Sequence, residues 1–167
     1  MAAARKVRRF HRLRRALEPV IRPAMHAYWR FSRPATLGVR AMVIDGQGRI
    51  FLVKHSYVEG WHFPGGGVET GETLLEALAR ELAEEGNIAL SAVPRLHGVF
   101  FNKRISRRDH VALYIVREFR QTAPPKPDHE IIDHGFFAPN ELPADTSRAT
   151  RERISEVLSG RPPAELW

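Results

Sequence analysis

Cysteine is absent from this chain of 167 residues. Its absence excludes disulfide bonds, thiolate metal ligands and cysteine nucleophiles. Long hydrophobic runs are absent too, since no apolar stretch approaches the roughly 20 residues of a membrane-spanning helix. The N-terminus also lacks the apolar core of a secretory signal peptide. With 43% hydrophobic residues, the chain is expected to form one globular domain with a real core, in the cytoplasm.

Acidic side chains are scarce in residues 1–34, which hold ten lysine and arginine side chains but only Glu18 as an acid. This segment therefore carries a net charge of +9, and the remaining residues carry −2 of the total of +7. Apolar residues at three- and four-residue spacing predict a basic amphipathic helix, which Pro19 and Pro23 interrupt. Such an arm suits RNA, an anionic membrane surface, or docking on the domain or a partner subunit.

The hydrophobic period changes after residue 34, and strand-like and helix-like segments follow. Strands are predicted at residues 37–44, 50–53, 96–102, 111–119 and 136–137. Residues 45–48 have turn chemistry, which predicts a hairpin between the first two strands. The clearest helix is 73–85, with Leu75, Leu78 and Leu82 as its apolar stripe. A final helix is predicted after a cap at Asp145 or Thr146. Because strands and helices mix without strict alternation, we predict an α/β (α+β) fold with a mixed sheet.

Glutamates crowd the end of the helix at 73–85. Glu81, Glu84 and Glu85 stand at i, i+3 and i+4 and therefore share one face. Acids are disfavoured at a helix C-terminus, and like charges at this spacing repel by about 0.2–0.5 kcal/mol per pair. A divalent cation such as Mg²⁺, which binds several oxygen ligands, would offset both costs. A solvated acidic face is the alternative, but the glycines at 65–67 let backbone approach a ligand closely, which favours a metal site.

The segment 66–88 resembles the Nudix box. That pattern is Gly, five residues, Glu, seven residues, Arg-Glu, an aliphatic residue, any residue, Glu-Glu, any residue, Gly, and an aliphatic residue. The matching positions are Gly66, Glu72, Arg80, Glu81, Leu82, Glu84, Glu85 and Ile88. Asn87 stands where the pattern has its last glycine, and either Gly86 or Asn87 can end the helix in the left-handed conformation. The resemblance spans about residues 36–158 and implies a Nudix-type α/β/α sandwich.

The resemblance also implies an activity and a set of site residues. The activity is hydrolysis of a diphosphate linkage in a nucleoside diphosphate linked to another moiety, such as a nucleotide sugar, ADP-ribose or a nucleoside triphosphate. Mg²⁺ is the implied cofactor, with Mn²⁺ as the alternative. The implied metal ligands are the carbonyl of Gly65 and the carboxylates of Glu81, Glu84 and Glu85. The implied catalytic residues are Glu84, Glu85 and Glu130, with Asp133 as the alternative to Glu130. Glu72 and Arg80 are expected to orient the helix and the loop.

Substrate contacts are predicted from side-chain chemistry outside the box. Arginine suits bidentate phosphate binding, so Arg40, which interrupts an apolar strand, and Arg104, in the basic loop 103–108, are predicted phosphate ligands. Trp61 is predicted to stack a base, against the alternative that it packs in the core. The remaining candidates are Tyr57 and Phe101 for stacking and His55, His62 and His110 near the cleft.

Two other functions stay open at this point. One is a catalytically silent Nudix-fold module that binds nucleotides or regulates a partner. The other is an RNA-directed pyrophosphohydrolase that uses the basic arm. The predicted organisation is an arm at 1–34, a Nudix hydrolase domain at 35–160 and a C-terminal tail at 161–167. The predicted partners are a nucleotide substrate, RNA or an anionic membrane at the arm, and a second copy in a homodimer.

Overall fold

The computed structural model describes Met25, Tyr28, residues 35–126 and residues 129–167. The predicted basic arm at 1–34 lies outside the described residues, apart from those two positions. By backbone proximity the chain divides into Met1–Ala35 and Thr36–Trp167, and every strand and helix with described bounds belongs to the second unit. Within the described part of the chain, no helix is both long and apolar enough to cross a membrane.

The described part of Thr36–Trp167 contains eight strands and two helices. In chain order they are β1 (Thr36–Val43), β2 (Ile50–His55), β3 (Trp61–His62), α1 (Leu74–Gly86), β4 (Ile88–Leu90), β5 (Arg95–Phe101), β6 (Asp109–Val116), β7 (Phe119–Gln121), β8 (Ile131–Phe137) and α2 (Arg148–Leu158). The strands form three sheets, ordered β1-β6-β5, β3-β2-β8 and β4-β7. Because β6 pairs parallel with β1 and antiparallel with β5, the first sheet is mixed, as predicted.

Two buried clusters lie on opposite faces of the strands. Along β1, Val39 and Ala41 belong to one cluster and Met42 belongs to the other, because successive side chains on a strand point to opposite faces. Helix α1 adds Leu82 to the first cluster, and α2 adds Ile154 to the second. Each helix thus covers one face, which confirms the predicted α/β/α layering.

Helix α1 begins with a capping box. The hydroxyl of Thr73 accepts a hydrogen bond from the backbone N–H of Glu76 at 3.3 Å, and the Glu76 carboxylate accepts one from the N–H of Thr73 at 2.8 Å. This reciprocal pair satisfies two backbone donors that the first turn leaves open. The helix ends at Asn87, whose φ of 49° is left-handed. Asn87, rather than Gly86, is therefore the cap.

The apolar stripe of α1 differs from the predicted one. Leu78 and Leu82 are fully buried, but Leu75 is 38% exposed. Ala77 is buried in its place, because the strands contact the side of the helix on which Ala77 lies. The prediction that Leu75 belongs to the stripe was therefore wrong.

The predicted hairpin between the first two strands is also wrong, although its turn is present. The Asp45 carboxylate accepts hydrogen bonds from the N–H groups of Gln47 and Arg49 at 2.9 Å each. Only an isolated bridge joins Ile44 to Ile50. Strand β1 pairs instead with β6, and β2 pairs with β3 and β8. The chain therefore crosses from one sheet to another at this turn.

The cap of α2 is Ser147, whose side chain accepts a hydrogen bond from the N–H of Thr150 at 3.2 Å. Both predicted caps have other partners. The Asp145 carboxylate accepts a hydrogen bond from Lys54 at 2.8 Å, and the Thr146 hydroxyl donates one to a carbonyl of the preceding turn at 2.7 Å. These tertiary contacts move the start of the helix beyond both residues.

Candidate active site

Glu85 occupies the end of α1 with its carboxylate turned into the protein. It is 6% exposed, and its Oε2 accepts a hydrogen bond from the N–H of Gly65 at 2.7 Å. Gly65 has a φ of +136°, and a Cβ there would collide with the carbonyl oxygen of Val39. Only glycine fits between β1 and this carboxylate, so Gly65 and Glu85 fix the loop to the helix.

His55 and Glu130 meet Glu85 from two other elements. His55 ends β2, and its Nε2 lies 3.4 Å from Oε1 of Glu85. Glu130 directly precedes β8 and accepts a hydrogen bond from the Tyr57 hydroxyl at 3.0 Å. Ligand atoms of His55, Glu85 and Glu130 all lie within 4.8 Å of one another. Residues distant in sequence therefore form one cluster, named here the His55 cluster.

The His55 cluster fits a divalent cation. His55 is 5% exposed, yet neither of its ring nitrogen atoms has a hydrogen-bond partner. Buried polar atoms almost always have one, so an unpartnered imidazole beside two carboxylates needs an explanation. Imidazole and carboxylate are both common ligands of divalent metals. A bound cation would satisfy the imidazole nitrogen and neutralise the acids.

Burial controls the protonation of this cluster. It raises the pKa of Glu85 to about 7, although the N–H of Gly65 favours the charged form. Burial, followed by the charge of Arg40, lowers the pKa of His55 to about 4. Burial and the hydrogen bond to Glu130 raise the pKa of Tyr57 to about 12. At neutral pH His55 is therefore the neutral imidazole that binds metals, and Tyr57 remains a hydrogen-bond donor.

Arg80 connects α1 to the loop that precedes it. Its guanidinium donates to the two carboxylate oxygens of Glu72 at 3.0 and 3.2 Å and to the carbonyl of Gly67 at 3.1 Å. The hydrogen bonds from Arg80 to Glu72 lower the pKa of that carboxyl group. The arrangement has the geometry needed for the orienting role predicted for Glu72 and Arg80.

Among the described residues, Glu81 and Glu84 are paired with Arg80 and are not members of the His55 cluster. Arg80 donates to Glu81 at 2.7 Å and to Glu84 at 3.3 Å and so holds both carboxylates. Glu81 lies against Gly66, where a Cβ would collide with its carboxylate. The Glu84 side chain is 60% exposed. Arg80 thus pairs with two of the helix glutamates, while Glu85 belongs to the His55 cluster. The predicted metal-binding roles of Glu81, Glu84 and the Gly65 carbonyl remain predictions.

A cavity of about 430 Å³ adjoins the His55 cluster and is lined in part by His55 and Tyr57. Both predicted phosphate ligands, Arg40 and Arg104, are among its lining residues. Arg40 is held in place because it donates to the carbonyl of Phe63 at 3.0 Å. The cavity thus combines positive charge with aromatic surface, which suits a phosphorylated ligand that carries a ring.

Several predicted contacts lie elsewhere. Trp61 is 7% exposed and packs edge-on against Phe137, with ring centroids 4.9 Å apart. It is part of the core because β3 turns this side chain inward, so the predicted stacking role is wrong. Phe101 and His110 contact each other and do not line the cavity. His62 does line it.

Sequence reasoning missed other cavity residues. Arg148 and Trp167 both line the cavity, but they lie far from the box and follow no recognisable motif. Asp133, the alternative to Glu130, is paired across the strands with Lys54 and is not a member of the His55 cluster. Only the folded chain shows which of these residues reach the cavity.

A comparison with protein families identifies the class of protein to which this fold and site belong. A family model described as NUDIX domain matches residues 34–158, which is most of the chain. The chain therefore belongs to the NUDIX domain family, and the resemblance drawn from the box is confirmed.

Solved structures agree with this assignment. A MutT NUDIX hydrolase from Burkholderia pseudomallei is 27% identical with a TM-score of 0.63, over 74% of this chain and 98% of that one. An ADP-ribose pyrophosphatase from Streptococcus suis is 20% identical with a TM-score of 0.60, over 80% of this chain and 96% of that one. The second likeness is one of fold alone.

Curated relatives match over a shorter segment. An RNA pyrophosphohydrolase from Halorhodospira halophila is 47% identical over 47 residues, which are 28% of this chain and 26% of the relative. The matched segment thus spans about a quarter of that relative's length.

Proposed function

We propose that this protein is a Mg²⁺-dependent pyrophosphohydrolase that cleaves a diphosphate linkage in a nucleoside diphosphate derivative. Mn²⁺ is the alternative ion. The observation that carries the proposal is the position of the His55 cluster beside a basic cavity of about 430 Å³. Membership of the NUDIX domain family supports it.

Side chains from β2 and α1 would hold the cation. His55 and Glu85 would hold the cation, with Glu81, Glu84 and the carbonyl of Gly65 as the further ligands that the family resemblance implies. When bound, a divalent cation neutralises phosphate oxygens and lowers the pKa of a coordinated water. The rigid contact between Gly65 and Glu85 keeps this carboxylate in place.

Arg40 and Arg104 would bind the diphosphate. A guanidinium donates two parallel hydrogen bonds to a phosphate and keeps its charge at any pH relevant to the reaction. Arg40 is already fixed by the carbonyl of Phe63, so less conformational freedom is lost when a phosphate binds. These two side chains hold the substrate with its reacting phosphorus near the His55 cluster.

Glu130 is assigned as the general base. A general base is typically oriented by a third group, and the Tyr57 hydroxyl does this for Glu130 at 3.0 Å. Glu130 is exposed, unlike Glu85, so a proton taken from the attacking water can pass to solvent. General bases contribute about 10²–10⁴-fold to a rate.

A substrate panel tests the activity. A nucleoside triphosphate, ADP-ribose and a nucleotide sugar are incubated with Mg²⁺ and separately with Mn²⁺, and the products are identified by chromatography. We expect a nucleoside monophosphate or pyrophosphate from at least one substrate, and none after EDTA. If no substrate yields a product with either ion, the protein is a silent nucleotide-binding module.

Two isosteric variants separate the roles of the acids. We expect Glu85→Gln to lose Mg²⁺ affinity in calorimetry together with nearly all turnover. Glu130→Gln should weaken Mg²⁺ binding much less than Glu85→Gln does and lose about 10²–10⁴-fold in kcat, since glutamine still accepts the Tyr57 hydrogen bond. Full Mg²⁺-dependent turnover by Glu85→Gln would refute the assignment of Glu85.

RNA is a second candidate substrate. The curated relatives carry the name RNA pyrophosphohydrolase, and residues 1–34 carry a net charge of +9. A short RNA with a 5′-triphosphate, compared with the free nucleoside triphosphate of the same base, decides between them. A higher kcat/KM for the RNA favours an RNA-directed enzyme, whereas equal or lower values favour the small-molecule substrate.

A further inference from the structure

The segment after α2 returns to the sheet and lies along β5. The N–H of Phe101 donates to the carbonyl of Glu165 at 2.8 Å, and the N–H of Trp167 donates to the carbonyl of Phe101 at 3.1 Å. Phe101 and Leu166 form a parallel bridge. Residues 165–167 therefore extend the sheet of β1, β6 and β5 at its β5 edge.

A buried polar network anchors this segment. The Glu156 carboxylate lies 2.8 Å from Nε2 of His97 and accepts a hydrogen bond from the N–H of Ala164 at 2.9 Å. Arg153 donates to the carbonyl of Leu166 at 2.9 Å. His97, Arg153 and Glu156 are each about 5% exposed at the side chain. A network this buried is costly when partly broken, so it holds residues 164–166 in one position.

The anchored segment places Trp167 at the cavity. Its indole packs edge-on against Phe100, with ring centroids 5.5 Å apart. Trp167 also lines the cavity whose wall includes His55 and Tyr57, and it keeps part of its surface accessible. The same cavity thus joins the His55 cluster to a large, fixed aromatic side chain.

We infer that Trp167 is a substrate-specificity residue, on which a nucleobase stacks while the phosphates lie toward Arg40 and the His55 cluster. Every nucleobase has an aromatic face, and stacking on an aromatic side chain is a common and strong contact. Trp61, the other described tryptophan, is buried in the core. The inference rests on the proposed function only in that the cavity takes a nucleotide, because Trp167 itself plays no part in bond cleavage.

Equilibrium binding of nucleoside monophosphates tests this role without hydrolysis, since they lack a diphosphate linkage. The probes are AMP, GMP, CMP and UMP, titrated into the full chain with Mg²⁺ by calorimetry, with ribose 5-phosphate as the probe without a base. For the tightest monophosphate we expect Trp167→Ala to raise Kd about tenfold and Trp167→Phe only about twofold. The Kd of ribose 5-phosphate should not change. In the native protein the monophosphate should also quench tryptophan fluorescence, and Trp167→Phe should remove that quenching.

Leu166→Ala is the matched control. It shortens a neighbouring, 41% exposed side chain of the same segment, so it perturbs the segment and leaves the indole in place. We expect its monophosphate affinity to equal the native value. Circular dichroism checks that each variant is folded, and Trp167→Phe keeps an aromatic packing partner for Phe100 if Trp167→Ala is unstable.

Several outcomes overturn the inference. They are native-like monophosphate affinity in folded Trp167→Ala, an equal loss for ribose 5-phosphate, unchanged quenching in Trp167→Phe, and no binding of any monophosphate to the native chain. The proposed activity fails separately. If the substrate panel yields no product but monophosphate binding depends on Trp167, the stacking role stands and the hydrolase assignment falls.

Discussion

At residue scale, Glu85 and His55 have opposite shifts caused by the same burial. The pKa of Glu85 is raised to about 7, so its carboxyl group keeps its proton until the pH approaches that value. The pKa of His55 is lowered to about 4, so its imidazole stays neutral until the pH falls near that value. In the unfolded chain both groups return to ordinary values of 4.5 and 6.5. Each favours its neutral form when folded, because burial disfavours the charged form.

The pH dependence of stability should reveal the Glu85 shift. Because the folded protein binds this proton more tightly than the unfolded chain, its contribution to the free energy of unfolding is full below pH 4.5. That contribution is lost as the pH rises through about 7. Glu85→Gln removes this pH-dependent loss of stability, because glutamine does not titrate. Its amide oxygen still accepts the hydrogen bond from the N–H of Gly65. At about pH 8, without metal, the variant should be more stable than the native protein by roughly 2–3 kcal/mol, and at about pH 4 by little.

The measurement is urea unfolding in EDTA from about pH 4 to about pH 8, read as the difference between variant and native protein. The native curve alone does not isolate Glu85, because the contribution of His55 to the free energy of unfolding changes in the other direction. That contribution is lost as the pH falls from 6.5 through about 4. Taking the difference removes the contributions of the titratable groups that both proteins share. A difference that does not grow between pH 4.5 and 7 would contradict the raised pKa of Glu85.

At element scale, α1 depends on Asn87 at its end. Asn87 has a φ of 49°, its N–H donates to the carbonyl of Ala83 at 3.1 Å, and its side chain donates to the carbonyl of Ala123 at 3.0 Å. Asparagine adopts the left-handed conformation more readily than alanine, and glycine does so without steric cost. The residue that departs from the box pattern therefore keeps the backbone shape that the pattern needs.

Replacing Asn87 tests this cap. Asn87→Ala should lower the free energy of unfolding by about 1 kcal/mol, because alanine is strained at this φ. Asn87→Gly should stay within about 0.5 kcal/mol of the native value, since only an exposed hydrogen bond is lost. Urea unfolding of the two variants side by side gives both numbers. Equal destabilisation by alanine and glycine would show that the lost side-chain bond, rather than backbone strain, dominates.

The elements also show what a sequence can and cannot predict. The limits of α1 and the ion pair between Glu72 and Arg80 follow from local spacing, which the box fixes. The pairing of the strands does not follow from local spacing, because β1 pairs with β6, which lies roughly 70 residues later in the chain. The inward turn of Trp61 and the capping of α2 by Ser147 likewise depend on tertiary contacts. Such contacts override local pattern and leave no signal in it.

At the scale of the whole molecule, the His55 cluster and the cavity unite parts that no single segment contains. His55, Glu85 and Glu130 come from β2, α1 and the approach to β8. Glu130 was predicted from its resemblance to a family segment. His55 had no metal-ligand spacing to single it out, and Trp167 had no motif at all. Members of such a site are predictable where a family pattern marks them, as at Glu130, or where a charge interrupts an apolar strand, as at Arg40.

The basic segment at 1–34 has a charge that distinguishes it from the rest of the chain, which carries −2. If this segment recruits RNA, binding should be dominated by phosphate contacts from lysine and arginine. The logarithm of the affinity should then fall linearly with the logarithm of salt concentration, by about 0.7 per phosphate contact on a single strand. Deleting residues 1–34 should flatten that slope and weaken binding most at low salt.

Fluorescence anisotropy with a labelled single-stranded RNA, from about 50 to about 300 mM KCl, measures the slope for the full chain and the deletion. Hydrolysis of a free nucleoside triphosphate serves as the control. The described site residues all lie beyond residue 35, so the deletion variant should keep the kcat/KM of the full chain for this substrate. Vesicles of anionic lipid give the competing result. If the deletion reduces vesicle binding but leaves RNA affinity and its salt slope unchanged, the positive charge serves a membrane surface, and the RNA-directed activity loses its support.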